Sequence, residues 1–509
     1  MLAFNMDIRK KIKDKKEQVS TMQNRQSPQN TQPIQPNEPA QNKETTQSNK
    51  PDQKFTKSQL ATISVVIITA FITTFTGSAL NLSIPAIGTE FHASASFIGW
   101  IITGYILAAA ALSVPFGRFA DLTGRKRILV IGIFIFALCS GAGAFAWSIE
   151  VLLCFRVLQG IGSAMIFSTN TAVLIGAFSP EKRGKVLGYS IASTYIGLSA
   201  GPVVGGFFNH YFGWRSIFIL TFIVSIIVFI IAAKKLPHIN VTKDGQSMDI
   251  LGSVLFVAMI TSIMYGLSAY STINFAKYLI PVGVFLSICF ILHELKSKSP
   301  IVEVRLFANN IGYLFSNIAA LLNYGATFAL GYLLSIYLQM VLDFDSQISG
   351  LILISQPLIM ALLSPYTGRL SDKVSPFKLA SFGMALCALG LLSFSFISVS
   401  YPLWLIIGNL IVVGIGFAFF SSPNTNAVMA CVDKKDYGVA SSILATMRSV
   451  GHSSSMAIVT FIVASNMGNT VLVEAESSEL ISTMRTSFIV FTCVCAIGIF
   501  ISLKRKEKN

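Results

Sequence analysis

The chain has 509 residues, of which 53% are hydrophobic and only 12% charged, with 39 phenylalanines and a net charge of +15; its mean hydropathy is +0.66. A water-soluble domain carries about 25% charged residues, so half that share leaves too little polar surface to face water and excludes a soluble enzyme. The basic excess forms no polar face either: it sits in the tails and in short alternate loops, which argues for helix orientation in a bilayer and against nucleic-acid binding.

Residues 1–57 are rich in Gln, Asn, Pro, Lys and Ser and lack apolar periodicity, which predicts a disordered cytoplasmic tail. Its basic run Arg9, Lys10, Lys11, Lys13, Lys15, Lys16 reads as a solvated tail or as a contact for anionic lipid heads. No signal-peptide pattern precedes the first apolar segment, so no cleavage is expected. Fourteen apolar stretches follow, and crossing a hydrocarbon core takes about 20 residues of helix. They lie near 60–87, 97–116, 128–148, 151–177, 186–208, 216–233, 249–271, 276–293, 310–338, 347–367, 377–398, 402–423, 438–465 and 485–503. The uncharged run from Leu379 to Val432 is divided at Ser398–Pro402, and the pair 249–293 is short in its second member. All seven cysteines (Cys139, Cys154, Cys289, Cys387, Cys431, Cys493, Cys495) fall in or beside apolar stretches without metal-ligand spacing, and read as packing residues.

Loop charge supports an even count. Loops with Gly124-Arg125-Lys126-Arg127, Glu181-Lys182-Arg183, Lys234-Lys235, Lys296 with Lys298, Lys373 and Lys434-Lys435 alternate with weakly charged or acidic ones. The acidic set holds Glu90, Asp343 with Asp345, and Glu474, Glu476 and Glu479. Fourteen spans then place both termini, including Lys504-Arg505-Lys506, in the cytoplasm.

An internal repeat runs through the chain. Gly117-Arg118-Phe119-Ala120-Asp121 recurs as Gly368-Arg369-Leu370-Ser371-Asp372. Gly160, Ile161, Gly162, Ala164, Ser168, Asn170 and Thr171 match Gly414, Ile415, Gly416, Ala418, Ser422, Asn424 and Thr425 at a constant spacing of 254, and Gly184 matches Gly438 in the same register. Identity at glycines predicts that the same backbone contacts recur in two parallel halves. The expected architecture is an all-α polytopic membrane protein with two pseudo-symmetric six-helix bundles, at 58–234 and 309–505. The linker 235–308 carries an inserted helix pair.

Four motifs carry a family resemblance. Gly117 to Arg127 resembles the loop signature of the major facilitator superfamily, and Arg156-Val157-Leu158-Gln159-Gly160-Ile161-Gly162 its fourth-helix signature. Gly197 with Gly201-Pro202-Val203-Val204-Gly205-Gly206 is similar to the fifth-helix signature of drug:proton antiporters. Pro300-Ile301-Val302-Glu303-Val304-Arg305-Leu306-Phe307 resembles a segment of the fourteen-span multidrug branch. The resemblance implies a monomeric plasma-membrane antiporter that exports small amphiphilic or drug-like compounds by alternating access. It would be driven by the proton gradient without a bound cofactor or metal, and a narrow-specificity metabolite exporter or importer on the same fold is the rival. The expected partners are a small-molecule substrate and the lipid bilayer.

Each motif residue has a plain reading beside its functional one. Gly117 and Gly124 permit a tight turn and close helix approach, while Asp121, Arg125, Arg127 and the repeated Gly368 and Asp372 either form a conformational latch or only fix topology. Arg156, a charge inside an apolar span, needs a polar partner or a wet cavity; its repeat equivalent is Leu410, so packing symmetry does not demand it. Snorkelling from the helix end near Glu150 is the other account. Gln159, Asn81, Asn170 and Asn424 are further cavity candidates. Arg448 and His452 stack one turn apart, and His452 is either a titrating coupling group or a hydrogen-bonded structural residue. The glycines of 197–206 and Pro202 form a close-packing face that can bend.

One departure from the family stands out. The first helix of that branch carries an aspartate ahead of its Asn-x-x-x-Pro pattern; here Asn81 and Pro85 are present but the aligned position is Thr76. No carboxylate is placed well inside an apolar stretch. Neutral, zwitterionic or anionic amphiphiles are therefore favoured over dications, with Arg156 or Arg448 as counter-charges, and proton coupling falls to Asp121, His452 or the substrate.

Overall fold

The computed structural model describes residues 55–178, 180–237, 247–432, 437–468 and 470–505. The tail up to residue 54, Lys434-Lys435, Lys506 and the side chains of Glu181, Lys182 and Arg183 lie outside the described residues. In chain order the helices are α1 (Lys57–Asn81), α2 (Ile84–Phe91), α3 (Ala95–Thr123), α4 (Arg125–Ala144), α5 (Ile149–Ala177), α6 (Pro180–Phe212) and α7 (Arg215–Lys235). The inserted pair follows as α8 (Ile250–Ser268) and α9 (Ala276–Lys296). Then come α10 (Val304–Asn309), α11 (Ile311–Thr327), α12 (Leu330–Ile336), α13 (Ser346–Leu353), α14 (Ser355–Leu370), α15 (Pro376–Phe394), α16 (Leu403–Ala430), α17 (Tyr437–Met467) and α18 (Ser477–Leu503).

Local chemistry sets the helix starts. At α1 the Thr56 hydroxyl accepts the Gln59 N–H at 3.2 Å while the Thr56 N–H donates to Gln59 Oε1 at 3.1 Å, a reciprocal cap that satisfies two free donors. Ser94, Ser148, Asp249, Asn310 and Asp345 cap α3, α5, α8, α11 and α13 by accepting the N–H three residues on. Between α3 and α4 the turn is a single residue, Gly124, at φ 118. Side chains rarely adopt that conformation, so the loop motif needs glycine there.

Thirteen helical stretches among the described residues are long and apolar enough to cross a membrane: eleven single helices, Ile311–Val341, which takes in α11 and α12, and Ser346–Leu370, which takes in α13 and α14. The sequence predicts fourteen. The difference is α17, whose 31 residues span about 46 Å but carry Arg448, His452 and the run Ser453-Ser454-Ser455. It packs against α3, α8, α11 and α18, so protein surrounds much of it, and this permits its polarity. The inserted pair also differs from expectation: α9 runs to Lys296 and brings Glu294 inside the helix.

The predicted repeat reappears as packing. A Cβ on Gly162 would lie 2.7 Å from Phe136 N and 2.8 Å from the Gly132 carbonyl oxygen; one on Gly416 would lie 2.7 Å from both Cys387 N and the Gly383 carbonyl oxygen. Thus α4–α5 and α15–α16 touch backbone to backbone at matching positions, an approach only glycine allows. The inserted pair stands outside this repeat. Helix α8 packs on both α3 and α17, with Phe256, Ile260 and Met264 against Leu107, Ala111 and Ala457. Helix α9 turns Phe285, Ile288 and Leu292 outward, as a lipid-facing helix does.

Candidate functional site

The helices α1–α7 and α11–α18 meet along a seam. At the end carrying the loops 82–94 and 468–476, Ala95 N–H donates to the Thr470 carbonyl at 3.0 Å and Leu472 N–H to the Ala93 carbonyl at 3.2 Å. The Ser335 hydroxyl donates to the Asn81 carbonyl at 2.7 Å, and Ser346 Oγ to the Gly206 carbonyl at 3.1 Å. Thr103 and Thr460 share a hydrogen bond of 3.1 Å further in. Near mid-span the Tyr195 hydroxyl meets Ser421 Oγ at 3.1 Å. Beyond that point, toward the basic loops, no further hydrogen bond joins the two halves among the described residues. Asn81 therefore belongs to the sealed end of the seam and not to a mid-span cavity. Glu90 sits at the same end. Burial raises its carboxyl, but hydrogen bonds from Arg215 at 2.6 Å and Trp214 at 2.7 Å, with the Arg215 charge, outweigh that and hold it below the usual range.

The glycine-proline motif of α6 splits into two faces. Gly197, Gly201 and Gly205 lie against Phe71, Ser78 and Ala79 of α1, in their own half. Pro202 and Gly206 face the other half: the Pro202 carbonyl meets Gly350, and Gly206 meets the Ser346 carbonyl. One motif thus joins a packing seam within a half to the closing seam between halves.

Within the loop motif, Asp121 pairs with Arg125 at 2.7 Å, one turn along the chain, and Arg125 Nη1 also reaches the Ala172 carbonyl at 3.5 Å. Gly117 and Gly368 face Ser168 and Ser422 respectively, and Arg127 and Asp372 are exposed. Both groups of the ion pair are about a third or more exposed, so its stabilising effect is small.

Arg156 neither snorkels nor faces the seam. It is 0% exposed; its Nε donates to the Ile101 carbonyl at 3.1 Å, Nη1 donates to Gln159 Oε1, and the guanidinium lies 4.1 Å from the Tyr105 ring centroid. Gln159 Nε2 passes the chain to Ser140 Oγ at 2.6 Å. Helices α3, α4 and α5 thus enclose a buried cation held by one amide, one carbonyl and a ring. Thr76, where the family carries an acid, is likewise buried, donating to the Ile72 carbonyl at 2.7 Å and sharing a 3.1 Å bond with Thr221. Asn170 accepts from Thr69 at 3.1 Å. Its repeat mate Asn424 donates to the Ser316 carbonyl at 3.2 Å and accepts from Arg505 at 2.8 Å. Each asparagine ties the fourth helix of its half to the first.

Arg448 and His452 do meet at mid-span, with partners the sequence did not single out. Phe328 lies 4.3 Å from His452 between ring centroids, Tyr324 lies 5.2 Å from His452, and Phe417 lies 5.1 Å from Tyr324. Arg448 Nη2 donates to Thr425 at 2.6 Å and its guanidinium is 5.5 Å from the Tyr324 ring centroid. Ser421 bonds both Tyr195 of the first half and Tyr324 of the second, each at 3.1 Å. Phe328 stands at a break between α11 and α12, where the Ala329 N–H donates to Ser455 Oγ at 3.1 Å.

A second polar group lies at the basic-loop end of the inserted pair. Asp249 accepts from Gly252 N–H at 2.7 Å and Ser297 at 2.7 Å, with His293 Nε2 at 2.8 Å. Burial raises its carboxyl, yet these hydrogen bonds and the His293 charge outweigh that and leave it lowered. Beside it Glu294, 2% exposed, accepts the Val302 N–H at 3.1 Å through Oε2. A depressed carboxylate stabilises the fold above its unfolded pKa of about 4 and loses that effect as pH falls through the folded value. Asp249→Asn should therefore lower the melting temperature at neutral pH, and the gap from wild type should close below about pH 4. Thermal unfolding in detergent across that range checks it; a gap unchanged in acid would refute the role.

A seam closed at one end between two internally repeated helical halves defines a polytopic membrane protein of transporter architecture. The chain belongs to the Major Facilitator Superfamily, whose model matches residues 66–456 and 317–509. It is 28% identical over 447 residues to the riboflavin transporter RibZ of Clostridioides difficile strain 630, covering 88% of this chain and 97% of that protein. It is 26% identical over 416 residues to the multidrug resistance protein Stp of Mycobacterium tuberculosis H37Rv, covering 80% and 76%. Its fold matches the crystal structure of a bacterial homologue of the human lysosomal transporter Spinster, inward-facing and unoccupied. That match has a TM-score of 0.65 at 14% identity and covers 88% of this chain and 97% of the other.

Proposed function

We propose that this transporter is a secondary active exporter of small amphiphilic compounds, coupled to the proton gradient and seated in the plasma membrane with fourteen spans and both termini cytoplasmic. The observation that carries the reading is the seam, which is closed from the loops 82–94 and 468–476 to Tyr195–Ser421 and has no further joining hydrogen bonds toward the basic loops among the described residues. Basic loops mark the cytoplasmic side, so the joined end of the seam lies on the side away from the cytoplasm. The similarity to multidrug resistance proteins supports export. With Thr76 in place of an acid, the proton carrier is Asp121, His452 or the substrate.

The riboflavin transporter relative favours a second reading, movement of one metabolite on the same scaffold. Proteoliposomes with an imposed pH gradient separate the two. Uptake of several unrelated dyes, abolished by a protonophore, is the expected result. Movement of a single metabolite supports the second reading, and transport indifferent to the protonophore overturns proton coupling.

A further inference from the structure

We infer that Tyr324, Phe328, His452 and Arg448 form the substrate site, and that it selects planar aromatic anions over planar cations. This rests on the transport reading above and gives that reading its substrate class.

Position comes first. The cluster lies at mid-span where Tyr195 of the first half reaches Ser421 of the second, and Arg448, Phe328 and His452 are each partly exposed. Phe328 stands at a helix break, and discontinuous helices near the midplane commonly build transporter sites. The break is stabilised from outside the helix, because Ser455 takes the Ala329 N–H.

Asymmetry is the stronger argument. Gly197 and Gly451 meet the Phe71 and Leu321 carbonyls respectively, so Tyr324 and Phe328 correspond to Thr74 and Ser78, while at the spacing of 254 Phe417, Arg448 and His452 correspond to Ser163, Thr194 and Leu198. The same scaffold is thus assembled in the first half without any of these rings or this charge. Packing symmetry does not require them, so the second half carries chemistry of its own.

That chemistry is specific. Phe328 and His452 lie at an interplanar angle of 31° and offer faces on which a flat ring can stack. Arg448 uses Nη2 on Thr425, but its Nε has no hydrogen-bond partner and no carboxylate pairs with it among the described residues. A partly exposed guanidinium with no carboxylate partner matches an anionic acceptor. A planar cation would meet the same stacking faces with the Arg448 charge against it. The alternative counter-charge, Arg156, is fully buried and committed to Gln159 and Ile101 in the first half.

Fluorescein and tetramethylrhodamine methyl ester share a xanthene frame and differ in sign of charge. Fluorescence polarisation with the purified full chain in mildly alkaline buffer should show fluorescein binding at least about tenfold more tightly. Arg448→Gln should erase that preference by weakening fluorescein about ten- to a hundredfold, Arg448→Lys should restore part of it, and Phe328→Ala should weaken both dyes. Equal binding, tighter binding of the cationic dye, or no binding of either overturns the inference on the wild-type chain alone, whatever the variants do. Gradient-driven movement of other dyes would then still leave the transport reading standing.

Discussion

Replacing Gly350 with leucine should force the closed end of the seam apart and stop transport without unfolding the chain. Any Cβ at this position meets the Pro202 carbonyl of the opposite half, and the Leu82 side chain 3.3 Å away. Overpacking of this kind costs about 1–3 kcal/mol. The penalty falls on the closed arrangement alone, because the contact exists only while α6 and α13 touch. Conformations of one protein differ by only a few kcal/mol, so a penalty of this size reverses their populations. A cysteine at Thr103, buried in this conformation, should become reactive to a membrane-impermeant maleimide applied from the side of the 82–94 loop. Gly201→Leu is the contrast. Its clash is with Ser78 and Ala79 of its own half, so it burdens every conformation and should lower the yield of folded protein. Unchanged Thr103→Cys labelling in the Gly350→Leu background would show that the glycine contact does not hold the seam.

Truncating Arg156 to alanine should destabilise the first half by about 2–4 kcal/mol, from an unpaired Gln159 and the cavity left behind. A functional arginine and a structural one separate in the double variant Arg156→Met with Gln159→Leu. Replacing both partners by apolar groups of similar shape is close to neutral, so that variant should regain most of the lost melting temperature. With no exposed surface, and with its hydrogen-bond and ring partners in α3 and α5, Arg156 should also prove dispensable for transport per folded molecule. A stable double variant that binds substrate but fails to respond to a pH gradient would instead make Arg156 part of the coupling machinery.

Much of this architecture is readable before any coordinates, and the reasons are local. Spans declare themselves by apolar length, and the repeat by glycines that only tight contacts require. Arg156 is visible as an anomalous charge, but its partners Ser140 and Tyr105 come from other helices, and nothing in its own segment names them. Arg448 and His452 share a helix face by spacing alone, whereas Phe328 joins them because α11 breaks beside it. No proline or glycine stands at Phe328–Ala329 to announce that break, since the hydroxyl that supports it belongs to Ser455, far along the chain. Glu294 escapes notice because its helix runs three residues past the apolar stretch that ends at 293. The two faces of Gly197–Gly206 are likewise invisible in one dimension, because neighbouring residues point toward different halves.

The polarity of α17 bears on how the molecule is made. Its Arg448 and serine run would partition poorly into lipid as a lone helix. Three of its neighbours, α3, α8 and α11, precede it from the ribosome and can already stand in the bilayer when it emerges. Its entry therefore depends on a docking groove prepared by earlier segments, and lesions in those segments should strand α17 at the translocon before any defect in the finished carrier can be measured.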